Sequence, residues 1–141
     1  MNNCISGYVA TYNHNGRIGA MVQLFCNDSF TTRTEEFKEL ANTLAMQVAG
    51  NNPKVVSIDD LDQEFLNKEM EKAKKINEKK SEKEFNEAME FWSNKITQEN
   101  CLLAQPYIKD DSKTVGEIIN EFKKNFGVEL SVERFIRYEI G

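Results

Sequence analysis

Residues 17–37 read RIGAMVQLFCNDSFTTRTEEF, and within this stretch the period of the apolar residues changes from that of a strand to that of a helix. The first half alternates apolar and other residues, which predicts a strand with one buried face: Ile18, Ala20, Val22, Leu24 and Cys26. From Phe37 the apolar residues recur at helical spacing: Phe37, Leu40, Ala41, Leu44, Ala45 and Val48. The stretch therefore predicts a buried strand, a polar corner and an amphipathic helix.

Phe30 lies in the corner and belongs to neither apolar pattern. A large apolar side chain on a loop between two rigid elements is a candidate contact anchor. The alternative is that Phe30 folds back beneath the corner as a plug, and the local sequence alone favours the plug. The following helix has two candidate N-caps, Thr32, which forms a capping-box pattern with Glu35, and Thr34. Its end is predicted at residues 50–53 (GNNP), by a left-handed residue and a proline stop.

A first strand is predicted over residues 4–12, followed by residues 13–16 (NHNG). Asn-Gly between two alternating runs is a strong hairpin signal, because both residues accept a positive φ. In this register Cys4 lies near Cys26 at the end far from the turn, and His14 is about 30 Å away at the rise of a strand. We therefore expect two half-buried thiols here and no Cys-His-Cys metal site.

Two narrow apolar stripes around a polar turn at residues 77–81 predict an antiparallel helical hairpin over approximately residues 58–105. The first stripe comprises Leu61, Phe65, Met70, Ala73 and Ile76. The second comprises Phe85, Ala88, Met89, Trp92, Ile96 and Leu103. Residues 105–107 (QPY) are expected to end the second helix. The charged residues outside the stripes are expected to form a solvated face with i,i+4 pairs.

Thr114 and Glu117 form a capping-box pattern for a last helix, which Gly127 ends. A final strand is then predicted with Arg134 interrupting its apolar face and Phe135 facing the other way. The residues of that apolar face are Val128, Leu130, Val132, Ile136, Tyr138 and Ile140. The whole order predicts an α+β fold in a single domain, residues 1–141, in which helices cover one face of a small three-stranded antiparallel sheet and the helical hairpin projects.

Composition narrows the range of functions. The 141 residues are 40% hydrophobic and 29% charged, which suits one soluble domain with a core. A net charge of −5 argues against general nucleic-acid binding. No apolar run approaches the length of a membrane span, and the N-terminus has no signal-peptide pattern, so we expect a cytoplasmic protein. The cysteines at 4, 26 and 101 form no C-x-x-C pair and are expected to be free thiols.

The motifs of the common enzyme and nucleotide sites are absent from the sequence. It contains no P-loop, no G-x-G-x-x-G, no H-E-x-x-H and no G-x-S-x-G. The sequence has one histidine, His14, which excludes most metal sites and catalytic triads. No histidine is placed to activate Cys26 as a nucleophile. We therefore expect no enzyme, no cofactor, no metal and no directly bound nucleotide.

Five motifs in order resemble one family, elongation factor Ts. They are residues 12–19 (YNHNGRIG), 26–33 (CNDSFTTR), 45–53 (AMQVAGNNP), 102–115 (LLAQPYIKDDSKTV) and 134–141 (RFIRYEIG). The second is similar to the family signature Cys-x-Thr-Asp-Phe-Val-x-Arg. The signature's phenylalanine is kept as Phe30, whereas its acid has moved one residue earlier, to Asp28, and its valine has become Thr31.

The resemblance implies a guanine-nucleotide exchange factor for elongation factor Tu. In that family the Asp-Phe corner pushes between helices of the partner's nucleotide domain and disturbs its magnesium and phosphate contacts, so that GDP leaves. Carried onto this sequence, the resemblance implies that Phe30 is the wedge and that Gln47 is a contact residue of the core helix. The implied partner-binding residues are Asp28, Ser29, Phe30, Thr31, Arg33 and Gln47. Some relatives pair through the sheet, so a homodimer is also implied.

Two departures leave an alternative open. The family normally begins with a three-helix module of about fifty residues, a size typical of the smallest independent domains, whereas this sequence starts at the first strand. Ser29 also replaces the signature's acid. Both departures are consistent with an adaptor or recruiting module, including one encoded by a virus, that binds elongation factor Tu without effective exchange. A structural domain unrelated to translation is the third interpretation.

Overall fold

The computed structural model describes residues 6–141. Within this range four α-helices accompany a three-stranded antiparallel sheet and a two-stranded sheet, so the predicted α+β fold is confirmed. The elements are β1 (Gly7–His14), β2 (Ile18–Cys26), α1 (Glu35–Asn51), α2 (Gln63–Asn77), α3 (Glu82–Asn100), β3 (Pro106–Tyr107), β4 (Asp110–Thr114), α4 (Val115–Phe126) and β5 (Leu130–Glu139). The larger sheet has the order β1-β2-β5. The smaller one pairs β3 with β4 and was not predicted from the sequence.

The hairpin between β1 and β2 forms as predicted. Asn15 and Gly16 have φ values of 56° and 72°, and the Arg17 N–H donates to the His14 carbonyl at 3.0 Å. The expected proximity of Cys4 to Cys26 lies outside the described residues. Cys26 itself is a buried free thiol. In the described part of the chain, no helix is long and apolar enough to cross a membrane.

The core lies between α1 and the inner face of the larger sheet. All six residues of the predicted helical face are buried. Phe37 is fully buried and meets Tyr8 and Phe122 edge to face, with ring centroids 6.3 and 5.9 Å apart. Burying a phenylalanine side chain contributes about 1.5–3 kcal/mol, and edge-to-face pairs add to that. Phe37 therefore ties β1, α1 and α4 together.

The structure decides between the two candidate N-caps of α1 and confirms the predicted end of the helix. Thr34 is the N-cap and accepts from the Phe37 N–H at 3.2 Å, so the capping box of Thr32 is wrong. A 3₁₀ turn over Thr31–Arg33 precedes the helix, and Thr32 donates to the Ser29 carbonyl inside it. At the other end the helix continues through Gly50, and Asn52, within the predicted segment 50–53, takes the left-handed conformation, since asparagine tolerates a positive φ.

A β-bulge in β5 overturns the predicted alternation of the last strand. Leu24 pairs with Val132 and Gln23 with Arg134, which leaves Glu133 as an extra residue. Beyond the bulge the faces are exchanged, because side chains alternate with a period of two. Ile136 and Tyr138 are therefore on the outer face, 45% and 71% exposed, and Phe135 packs against the core.

The helical hairpin is formed by α2 and α3, around a turn whose Ser81 caps α3. The stripe prediction is wrong at Ile76, which is 73% exposed. Asn77 takes the inward position, where its amide donates to the Ala73 carbonyl at 2.8 Å. The second helix ends at Asn100 rather than at residues 105–107. Its last carbonyl accepts from the Lys54 and Val55 N–H groups at 2.8 and 3.1 Å, which joins the base of the hairpin to the chain after α1.

Candidate partner-binding corner

The corner, defined as residues 27–34, is attached to the rest of the domain at both of its ends. At the start, the Asn27 N–H donates to the Glu129 carbonyl at 3.1 Å, and the Glu129 N–H donates back to Asn27 Oδ1 at 2.9 Å. At the end, Thr34 caps α1. The corner is therefore held between the start of β5 and the first turn of the core helix.

Asp28 organises the turn inside the corner. One carboxylate oxygen, Oδ1, accepts from the Phe30 N–H at 3.2 Å, and the other accepts from the Thr31 hydroxyl at 2.7 Å. The Thr31 hydroxyl and, after it, the Phe30 N–H lower the pKa of Asp28 below its ordinary value of 3.8. Hydrogen bonds donated to the charged form favour that form, so the carboxylate remains ionised at neutral pH.

Phe30 points away from the chain. Its side chain is 75% exposed, the largest exposed fraction among the large apolar residues of the described range. The plug beneath the corner, which the local sequence favoured, is therefore wrong. Thr31 is buried instead, at 5% exposure, so the small residue fills the space under the turn while the aromatic ring faces solvent.

The structure brings five of the six predicted partner-binding residues together in the corner and separates the sixth. Ser29 and Arg33 are exposed beside Phe30. Gln47 is fully buried. Its side-chain Nε2 donates to Gln105 Oε1 and to the Pro106 carbonyl at 3.1 and 3.0 Å. Its side-chain Oε1 accepts from the Ile108 N–H at 2.9 Å. Gln47 therefore fixes the 105–108 segment to α1.

Sequence reasoning implied pairing through the sheet but named no residues for one surface, the outer face of the larger sheet. Val9, Met21 and Ile136 are exposed there, and they border a shallow cavity of about 400 Å³. Arg134 lies at its edge and donates to Gln23 Oε1 at 2.8 Å. The charge of Arg134 within an apolar run was the available signal, since a bulge before it moves the following residues to the opposite face.

The fold defines the class, an α+β domain with an antiparallel helical hairpin and an aromatic corner next to its sheet. The family follows from comparison with known proteins: the chain belongs to the elongation factor Ts family, whose profile, described as Elongation factor TS, matches residues 2–141. The resemblance seen in the five motifs is thus confirmed.

Similar proteins of the family come from several bacteria. The chain is 43% identical over 138 residues to Elongation factor Ts of Moorella thermoacetica, covering 96% of this chain and 68% of the relative. It is 41% identical to that of Syntrophomonas wolfei, covering 96% and 64%, and 37% identical to that of Thermodesulfovibrio yellowstonii, covering 96% and 68%. The chain thus spans about two thirds of the length of these relatives.

Proposed function

We propose that this chain is a guanine-nucleotide exchange factor for elongation factor Tu in the cytoplasm, and that Phe30 promotes GDP release by entering the partner near its magnesium and phosphate site. The observation that carries the proposal is the exposure of Phe30 on a corner attached at both ends. Membership of the elongation factor Ts family supports the partner and the activity. Exchange of this kind requires no covalent step and no catalytic group on the chain.

The mechanism is a linkage between two binding equilibria. An exchange protein that prefers the nucleotide-free conformation of its partner lowers the partner's affinity for the nucleotide. The nucleotide lowers the partner's affinity for the exchange protein by the same ratio. Differential affinity for the two conformations is sufficient. In this proposal the Phe30 ring contacts apolar groups that only the nucleotide-free partner exposes. Binding of the ring therefore weakens binding of GDP, and binding of GDP weakens binding of the ring.

The size of the effect requires other contacts. Fully burying one phenylalanine ring is worth about 1.5–3 kcal/mol, or roughly one to two decades in an equilibrium constant. Ser29 and Arg33 are exposed in the same corner, and in this proposal they add further contacts with the partner. Gln47, being buried, acts indirectly by holding the 105–108 segment.

The test is the release of labelled GDP from elongation factor Tu in an excess of unlabelled GDP, with and without the chain. We expect release to accelerate roughly tenfold or more at saturating chain, from the contribution of one buried ring. A stable complex with an unchanged release rate would favour the adaptor. No complex at all in a pull-down would reject both, in favour of a domain unconnected with translation.

We further propose that the chain forms a homodimer through the outer face of the larger sheet. Val9, Met21, Ile136 and Tyr138 leave this face apolar and exposed, and apolar patches of this kind mark interaction sites. Ile136→Lys is expected to shift the chain to monomer in sedimentation velocity, because a charge would be buried in the interface. Ile76→Lys, at an exposed isoleucine on α2, is the matched control. A wild-type chain that is monomeric up to high micromolar concentration would contradict the proposal.

A further inference from the structure

Asp28 makes two of the side-chain hydrogen bonds within the turn that carries Phe30. Both oxygens of the Asp28 carboxylate are directed into the corner, one to the Phe30 N–H and one to the Thr31 hydroxyl. The Thr31 side chain is itself buried against the domain. The carboxylate therefore links the backbone of the exposed residue to a side chain that is fixed in the interior.

We infer that Asp28 is a positioning residue, whose carboxylate holds the turn in the conformation from which Phe30 projects, and that Ser29 rather than Asp28 is the polar side chain presented beside the ring. The inference rests on the proposed function for its consequence in exchange, but its structural part concerns the free chain alone. Asp28 was implied as a partner-binding residue by position. The geometry gives its two oxygens to the corner instead.

Thr31 distinguishes this arrangement from the family signature. In the signature quoted above, threonine stands at the position of Asp28 and valine at that of Thr31. Valine has no hydroxyl group, so a carboxylate–hydroxyl bond between these two positions cannot form in that pattern. Here both positions have changed to a matched acceptor and donor, which are 2.7 Å apart. Hydrogen bonds to an ionised acceptor are about twice as strong as neutral ones.

The expected role is preorganisation. When only a fraction of the free molecules has the binding-competent loop conformation, the apparent dissociation constant is the intrinsic one divided by that fraction. Without the Asp28 carboxylate, the corner would reach the same bound state from a broader free ensemble. Asp28 variants should therefore need more chain for half-maximal stimulation of GDP release, yet reach nearly the same maximal rate. Loss of the Phe30 ring should instead lower the maximal rate.

The experiment uses Asp28→Ala, Asp28→Asn, Thr31→Val and, as control for the amide-exchange measurement only, Ser29→Ala at the adjacent exposed position. Solvent exchange of the Phe30 amide is measured by NMR on each free chain, and GDP release from elongation factor Tu is titrated with each. For Asp28→Ala we expect about tenfold faster amide exchange and an about tenfold higher half-maximal concentration, the size of one lost charge-assisted hydrogen-bond pair. Asp28→Asn keeps one neutral oxygen for the Phe30 N–H and should restore both values only in part. Ser29→Ala should leave the amide exchange unchanged.

Several results would overturn the inference. Unchanged Phe30 amide exchange in Asp28→Ala would show that the carboxylate does not hold the turn. Faster exchange of the Phe30 amide with an unchanged half-maximal concentration for GDP release would show that the turn does not matter to nucleotide exchange. If Asp28→Ala fails to fold, Thr31→Val decides, since it removes the hydroxyl bond at nearly constant volume and should give a smaller change in the same direction. If the wild-type chain does not accelerate GDP release, the proposed function fails by itself, and the amide exchange alone decides the role of Asp28.

Discussion

Phe30→Ala is expected to remove most of the acceleration of GDP release from elongation factor Tu while leaving the stability of the free chain nearly unchanged. The ring is 75% exposed and contributes little to the chain's own core. The backbone N–H that donates to Asp28 is retained in the variant. We expect a loss of roughly one to two decades in the equilibrium constant that couples binding of the chain to release of GDP, the contribution of one buried ring. The rate of GDP release at saturating chain measures this loss, and thermal unfolding measures the stability of the free variant.

Phe91→Ala is the matched control, because it removes a ring that is 60% exposed on α3, away from the corner. This variant should keep the maximal release rate of the wild type. Equal rates for wild type and Phe30→Ala would contradict the assignment of Phe30, whatever the wild-type activity. A marked loss of thermal stability in Phe30→Ala would also contradict it, because the ring would then be part of the fold.

Phe37→Ala should have the opposite phenotype, although the two phenylalanines are only seven residues apart. Phe37 is fully buried between Tyr8 and Phe122, and its removal leaves a cavity where β1, α1 and α4 meet. We expect a loss of about 3–5 kcal/mol in the free energy of unfolding, a large part of the about 5–15 kcal/mol typical of a domain. Denaturant unfolding measures it directly.

Phe126→Ala provides the comparison for Phe37→Ala. Phe126 is 39% exposed, and its main contact is a stack on Phe122 with centroids 4.2 Å apart. Its truncation should cost clearly less than that of Phe37, because the side chain is already partly in water. Equal losses for the two variants, or a loss below about 1 kcal/mol for Phe37→Ala, would show that the core is not organised around Phe37.

The features that the sequence predicted correctly depend on neighbours along the chain. Asn15 and Gly16 adopt a positive φ, because asparagine tolerates that conformation and glycine has no Cβ to oppose it. Thr114 and Glu117 form the capping box within a single helical turn, and Gly127 ends α4 in the left-handed conformation. The buried face of α1 follows from a period of 3.6 residues. In each case the deciding contact lies within a few residues of the pattern.

The features that it missed depend on distant partners. The bulge at Glu133 is a property of the pairing between β5 and β2, and no local pattern shows which residue is skipped. Gln47 resembles a surface contact residue by motif, but its amide is used by the 105–108 segment, which is remote in sequence. The site was likewise only partly predictable. The composition of the corner made Phe30 only a candidate, because its exposure accompanies the burial of Thr31 and the link from Asn27 to Glu129.

Photo-crosslinking from position 30 tests most directly whether the ring enters the partner. The photoreactive amino acid p-benzoylphenylalanine replaces Phe30, and the same residue replaces Phe91 as a control. With nucleotide-free elongation factor Tu, we predict crosslinks from position 30 to the nucleotide domain beside its magnesium and phosphate site, suppressed by excess GDP and absent from position 91. Crosslinks from position 30 that map only to the chain itself, or to a surface of the partner far from the nucleotide, would contradict the account.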